Sequence, residues 1–558
     1  MRDKQLMEQS KKTSFVQGAT ILGIAGLFVK AIGAVYRIPL ANILKEGITY
    51  YDYAYPIYAW LLVISSAGLP SAISKMVSER VATGDVLGAK RVFTTALKIL
   101  TIIGVVTSVL LLLFSGLISR LIEAEPTKLS FMALAPALLF VSIMCAYRGY
   151  LQGMQCMTGT AISQVIEQVF KLLVGFSLAY ILVKRYPERL ELASMGALIG
   201  VSVSEFVALA VIKFYYDAKM HRGTLPVCTR GTTLAQSIES SSSITKKLLS
   251  IAIPITIGAS IMPLTGIADS AFITKILRAR NETFGMDTAS ALEAARTSFR
   301  VLRSYVTPLI NMPAVLTLAL SMSLVPAISQ ATAKRDRRTV HRAADTGIKL
   351  SMFIGAPCAV GLFVLGGPIM AMLYNAVRES SEIYAQAQNV MYYAATGVLF
   401  LSLVQTLTGI IQGMGKPRIP VFFLAVGGAV KIISMIVLMK FTNMGILGAA
   451  LSTVLCYAIA AAGDTFFVLH YTQMRISYAD TFIKPLFSSV LMGLVVYFVH
   501  KLLSNMGHLT IGTVFAICVG VVVYLGAMIL LRPFNATDLE FLPKANLFAK
   551  IFRVRTRR

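Results

Sequence analysis

Apolar runs of about 20 residues or more recur along almost the whole 558-residue chain, separated by shorter polar connections. At 1.5 Å of rise per residue, about 20 residues cover the roughly 30 Å hydrocarbon core of a bilayer. By this length rule the chain holds about fourteen spans. They fall at residues 15–40, 54–77, 92–118, 129–153, 160–183 and 193–215, then 248–276, 301–328, 348–373, 385–413, 419–439 and 444–469, and lastly 482–502 and 510–531. Composition agrees: 56% of the residues are hydrophobic, 14% are charged and the mean hydropathy is +0.72. A soluble domain has about 25% charged residues. The fold class is therefore an all-α polytopic membrane protein. The polar, basic stretch before Phe15 and the length of the first apolar run argue against a cleaved leader. Six cysteines with no C-x-x-C spacing predict neither a disulfide framework nor a zinc site.

The chain repeats itself. Leu151-Gln152-Gly153-Met154 recurs as Ile411-Gln412-Gly413-Met414, and Lys171 recurs at the same offset as Lys431. Ala72-Ile73-Ser74 recurs as Ala327-Ile328-Ser329, and Met195-Gly196-Ala197 matches Met444-Gly445-Ile446. The matches keep their order at an offset of roughly 250–260 residues. Six spans per repeat give both halves the same topology, related by an axis along the membrane normal. The expected organisation is an N-lobe over 1–216, a Ser/Thr-rich linker over 217–243, a C-lobe over 244–471, two further spans within 472–531 and a basic tail over 532–558.

Alternate connections carry about thirty Lys and Arg on one side and about fifteen on the other. The richer side includes both termini and the linker, and the positive-inside rule places it in the cytoplasm. The net charge of +26 is thus mostly topological and faces anionic lipid headgroups, with no need of nucleic acid.

Charges inside the spans point to the chemistry. Lys30 and Arg37 sit two turns apart in the first span, on nearly the same helix face. A cation there costs about 2.5–3.5 kcal/mol on insertion scales, so it faces a wet cavity or snorkels to the headgroups. Glu167 and Lys171 are spaced to pair on one face, and Lys431 repeats Lys171. Lys98, Arg148 and Lys349 lie near span ends, where snorkelling competes with function. Arg300 and Arg303 open the eighth span, while Asp269 and Asp464 are candidates for ion coupling, to Na+ or H+. Cations outnumber carboxylates in this set, which favours an anionic cargo, since ammonium and guanidinium groups match phosphate oxygens. Pro254 and Pro263, with Gly258 and Gly266, predict a bend in the seventh span and a gate there. The connection after that span is partly amphipathic, either an external gate helix or a loop resting on the membrane.

GLFVKAIGAVYRIPLA, the YYDYAYPIY segment from Tyr50, GLPSAISKMVSE and YRGYLQGM resemble the polysaccharide-biosynthesis transporters of the multidrug/oligosaccharidyl-lipid/polysaccharide exporter superfamily. The resemblance extends to the group that includes stage V sporulation protein B and the lipid II flippases. It implies two six-helix lobes around a central cavity, with two extra helices forming a lipid-facing groove. It also implies an undecaprenyl-pyrophosphate-linked sugar as cargo, usually the peptidoglycan precursor, and no enzymatic step. The family's functional cations carry over to Lys30 and Arg37 in the first helix and to Arg303 in the eighth. The second-helix arginine of lipid II flippases has no match before Gly68. Where some relatives place a sodium-site carboxylate, this chain has Lys431, which argues against sodium coupling through that site. No cofactor is expected. The expected partners are the lipid-linked glycan and membrane lipids, with cell-wall synthesis proteins as candidates, and the expected state is a monomer. Two alternatives stand beside a flippase: an ion-coupled drug exporter of the same fold and, less favoured, a membrane glycosyltransferase.

Overall fold

The computed structural model describes residues 25–26, 28–33, 35–221, 239–473, 476–506 and 509–534. The expected start of the first span at Phe15, most of the linker and nearly all of the basic tail lie outside the described residues. Among the described residues there is no strand, and thirteen helical runs are long and apolar enough to cross a membrane. The difference from fourteen arises at one place. The run Phe28–Ala82 joins the described part of the first expected span to the second.

Two compact units divide the chain, Met1–Ala271 and Phe272–Arg558. The first is helical at residues 28–33 and 35–44, then comprises α1 (Ile48–Ser66), α2 (Leu69–Ala82), α3 (Val86–Leu121), α4 (Thr127–Gly153), α5 (Met157–Arg185) and α6 (Leu190–His221). It also takes the first part of α7 (Ser241–Thr283). The division thus falls inside a helix instead of at the linker. Packing explains this: Ile244, Leu248 and Ala252 belong to the first unit's apolar core with Leu69, Met76 and Tyr150. Gly68 allows the approach, since a Cβ there would lie 2.7 Å from Thr256 Oγ1. Helix α7 runs on through Pro254 and Pro263.

The second unit continues with α8 (Thr288–Arg300), a π-helical segment (Val301–Val306) and α9 (Thr307–Ala333). Then follow α10 (Arg337–Leu373), the short α11 (Asn375–Glu379), α12 (Ser381–Gly413), α13 (Arg418–Phe441), α14 (Ile446–Thr472), α15 (Lys484–Asn505) and α16 (Leu509–Leu531). The segment before the eighth expected span is thus a helix rather than a loop. Asp287 starts it by accepting from the Ala289 and Ser290 amides at 3.1 and 3.0 Å, and Ala291, Ala295 and Phe299 are buried on one face. The two extra helices pack on α10: Met492, Val496, Tyr524 and Met528 join Leu350 and Leu365, and the Tyr524 hydroxyl donates to the Phe353 carbonyl at 2.8 Å.

The repeat is visible in how each unit packs. A Cβ on Gly104 would lie 2.8 Å from Ser142 Cβ, and one on Gly355 would lie 2.9 Å from Ser402 Cβ. Both α3 and α10 begin the same way: a residue at positive φ (Gly84 or Arg335) precedes an aspartate N-cap (Asp85 or Asp336). Both α4 and α12 are followed by a left-handed residue, Gln155 or Gly415. The structure shifts two of the sequence matches by about a turn. Gly413 rests on Ile328 and the Val325 carbonyl as Gly153 rests on Val77 and the Ser74 carbonyl, so the counterpart of Ile328 is Val77 rather than Ile73. Gly448, rather than Gly445, meets Leu438 as Gly196 meets Leu178.

Candidate functional site

In the first unit the interior charges gather around tyrosines. The YYDYAYP stretch forms α1, and helical spacing stacks Tyr51 on Tyr55 with ring centroids 5.5 Å apart. Asp52, 1% exposed, forms an ion pair with Arg37. The Arg37 guanidinium also lies 5.5 Å from the Tyr51 ring. Lys171 on α5 reaches the same group, with its ammonium 5.4 Å from the Tyr55 ring and 5.9 Å from the Tyr36 ring. Arg37 and Lys171 therefore share one aromatic cluster, where cation–π attraction contributes about 0.5–2 kcal/mol per contact. Gly175 makes room for it, because a Cβ there would lie 2.9 Å from the Tyr36 hydroxyl. Lys30 is helical and exposed.

The expected Glu167–Lys171 pair gives way to another. Glu167 Oε2 accepts from Arg148 Nη2 at 3.0 Å, and Arg148 Nε donates to Ser163 Oγ at 3.1 Å. Arg148 reaches Glu167 from α4 with a planar fork, a better match for a carboxylate than an ammonium on the same helix. Arg148 is thereby held, half-buried, in a hydrogen-bond network instead of snorkelling. Glu205 on α6 is also buried, and its Oε2 has no hydrogen-bond partner among the described residues. Asp269 is 4% exposed.

In the second unit, Arg303 is half-buried within the π-helical segment, one turn after Arg300. Arg300 is 4% exposed and donates from Nη2 to Thr297 Oγ1 at 3.0 Å. A π turn widens the backbone and turns the following side chains to a new heading, a feature frequent at functional sites. Lys431 on α13 and Asp464 on α14 are both buried. Neither Asp464 oxygen has a hydrogen-bond partner among the described residues. Lys349 does not snorkel either: it is buried on α10 and paired with Asp345 at 2.7 Å. Lys98 is exposed on α3.

Sequence reasoning missed Asp52, Glu205 and the tyrosines as interior polar groups. A signal existed for each. Asp52 is flanked by aromatics at helical spacing, and Glu205 is a lone carboxylate within an apolar run.

Many spans, with cations and tyrosine hydroxyls buried inside them, are features of a membrane transporter. The family model described as "Polysaccharide biosynthesis protein" matches residues 15–332, more than half of the chain, and the chain belongs to that family. The family lies in the multidrug/oligosaccharidyl-lipid/polysaccharide exporter superfamily, and a MatE model also matches residues 303–437. Stage V sporulation protein B of Bacillus subtilis is 27% identical over 446 residues, covering 79% of this chain and 81% of that one. Lipid II flippase MurJ of the same organism is 24% identical over 456 residues, covering 80% of each. The solved structure of "Lipid II flippase MurJ, inward closed conformation" aligns with a TM-score of 0.66 at 15% identity, over 92% of this chain and 99% of that one. At that identity the likeness is one of fold.

Proposed function

We propose that the protein is a flippase that carries an undecaprenyl-pyrophosphate-linked sugar, lipid II above all, across the cytoplasmic membrane, with both termini in the cytoplasm. The observation that carries this reading is the aromatic cluster holding Arg37 and Lys171 inside the first unit. A pyrophosphate is the group such cations attract through charge-assisted hydrogen bonds. Lys30, Arg303 and Lys431 would each attract it as well, by the same chemistry. The relatedness to stage V sporulation protein B and to a lipid II flippase supports the cargo class. The polyprenyl tail stays in hydrocarbon or along α15 and α16, and no bond of the cargo is made or broken. Alternating access would draw on α7, where two prolines and two glycines weaken the helix. The MatE match favours one second reading, a drug exporter of the same fold.

The test is complementation of a bacterium depleted of its own lipid II flippase, scored by the precursor exposed on the outer surface. Restored exposure is expected. Failure to restore it, combined with protection against cationic drugs, would favour the exporter.

A further inference from the structure

In the second unit two adjoining cavities open where α7 ends, α13 ends and α14 begins. In the order of spans the connection here follows the seventh, so the charge bias of the connections assigns it to the side opposite the linker. One cavity, of about 510 Å³, is basic: Lys275, Arg280 and Lys440 line it together with Phe284 and Phe441. The other, of about 480 Å³, carries amides: Asn281, Gln386, Asn389 and Asn443, with Ser298 and the first turn of α14. Arg280, Phe284 and Asn443 border both. Among the described residues no carboxylate lines either cavity.

Arg280 is set in place. Its Nη1 donates to the Thr442 carbonyl at 3.1 Å, and its guanidinium lies 5.4 Å from the Phe284 ring. Gly445, at φ 53, leaves space beside it, since a Cβ there would lie 3.4 Å from Nη1. A guanidinium has five donors, so one carbonyl bond leaves most of its capacity for another acceptor. The Lys440 ammonium lies 5.6 Å from the Phe441 ring, and both phenylalanines are strongly exposed, at 69% and 72%. A simpler account is that Arg280 and Lys440 only offset the partial negative charge of helix ends. That account covers neither Lys275, two turns before the end of α7, nor the amide-lined cavity next door.

From this juxtaposition we propose a second ligand site that takes a phosphate bearing a hydroxyl-rich group: phosphate on Lys275, Arg280 and Lys440, hydroxyls on the neighbouring amides. Side-chain amides both donate and accept, which suits sugar or glycerol hydroxyls. Each cavity has the volume of an ordinary small-ligand site. Two sources share this chemistry, a lipid-linked saccharide and a glycerophospholipid such as phosphatidylglycerol. The proposal uses the flippase reading only to name the leaflet, the outer one.

Native mass spectrometry and thermal shift on the purified full-length protein test it, with undecaprenyl-diphosphate-linked disaccharide, phosphatidylglycerol and phosphatidylcholine added separately. At least one of the first two should bind more tightly than phosphatidylcholine, and which one does so identifies the source. Arg280→Gln and Lys440→Gln should each weaken that binding about tenfold, the size of one charge-assisted hydrogen bond. Asn389→Leu should weaken it by less, and Lys98→Gln, an exposed cation elsewhere, should leave it unchanged. Lys440→Gln guards against misfolding of the Arg280 variant, since the exposed Lys440 lies at the helix end. Equal binding of phosphatidylcholine, or unchanged binding in both charge variants, would overturn the site. Neither result touches the flippase reading, which stands or falls on precursor exposure in cells.

Discussion

The two units share a packing frame and differ in what they bury inside it. Gly104 on Ser142 and Gly355 on Ser402 are near-identical helix contacts in the two halves. The polar interiors diverge. In the first unit Arg37 meets Asp52, Arg148 meets Glu167, and Lys171 stands over tyrosine rings. In the second, Lys431 takes the position matching Lys171, while Asp464 is buried with neither oxygen hydrogen-bonded among the described residues. A close helix contact admits few substitutions, because interiors are packed to crystal density and an added methyl group must displace something. A polar group in a wet cavity can change while the frame stands. The repeat thus keeps the glycine contacts paired while the charges around them differ.

The largest effect should come from breaking the first unit's ion pair. Arg37→Ala leaves the Asp52 carboxylate buried without its cation, a change that costs about 3–5 kcal/mol in comparable sites. The double variant Arg37→Ala/Asp52→Asn removes the stranded charge. It should recover thermal stability in detergent and normal insertion, yet still fail to expose precursor at the cell surface. Full transport by the double variant would mean that the pair is structural only. Lys30→Ala and Arg303→Ala should also lose transport while inserting normally, and Lys30→Arg and Arg37→Lys should keep part of it. Complete complementation by all the alanine variants would falsify the anion role of these cations.

Asp464 sharpens the comparison from the other side. Asp464→Asn keeps the shape and removes the ability to ionise. If the second unit serves ion coupling, the variant's transport should lose its dependence on Na+ or pH and fall about tenfold or more, the equivalent of 1.4 kcal/mol. Transport by the variant with unchanged ion and pH dependence would exclude that role for Asp464.

Much of this was legible in the sequence, for physical reasons. Span length is set by bilayer thickness, so apolar runs located the helices, but not their polar ends: α10 begins at Arg337 instead of 348, and α7 covers Ser241–Thr283 instead of 248–276. The repeat was readable because small residues at tight contacts, such as Gly153 and Gly413, are hard to replace. Its register was less so: Val77 and Ile328 occupy matching contacts, under Gly153 and Gly413, although the surrounding letters align Ile73 with Ile328. A one-turn slip keeps the same helix face inward and leaves little trace in sequence. The ion pairs were the least legible part. Spacing along one helix offered Lys171 to Glu167, but a guanidinium from α4 reaches Glu167 in three dimensions. Asp52 escapes a reading by apolar runs because the second run begins at Ala54, six residues after the helix itself begins at Ile48.

The shared frame predicts a matched pair of smaller effects. Gly104→Ala would press a methyl group against Ser142, and Gly355→Ala against Ser402, at separations of 2.8 and 2.9 Å. Each should destabilise the protein by about 1–3 kcal/mol through overpacking. Ser142→Gly and Ser402→Gly should relieve their respective partners. Thermal unfolding in detergent checks this. Rescue in one unit only would show that the repeat is kept in topology but not in packing.

The smallest effect concerns the latch that ties α7 to the first unit. Glu239, just ahead of α7, pairs with Arg80 of α2, accepts from Ser243 Oγ at 2.9 Å and meets Lys247 Nζ at 2.6 Å. Hydrogen bonds from Lys247 and Ser243, and then the Arg80 charge, hold its carboxyl well down, at about 2. A depressed carboxylate contributes stability that is complete above its unfolded value, 4.5, and is lost as pH falls through about 2. The side chain is 27% exposed, so water and salt screen it, and Glu239→Gln should cost about 1 kcal/mol or less at pH 7. The stability gap between the native protein and Glu239→Gln should be constant from pH 7 to about 4.5, narrower at pH 3 and closed near pH 2. It should also shrink in high salt. A gap of constant size across that range would mean that packing, and not the charge of Glu239, fastens α7 to α2.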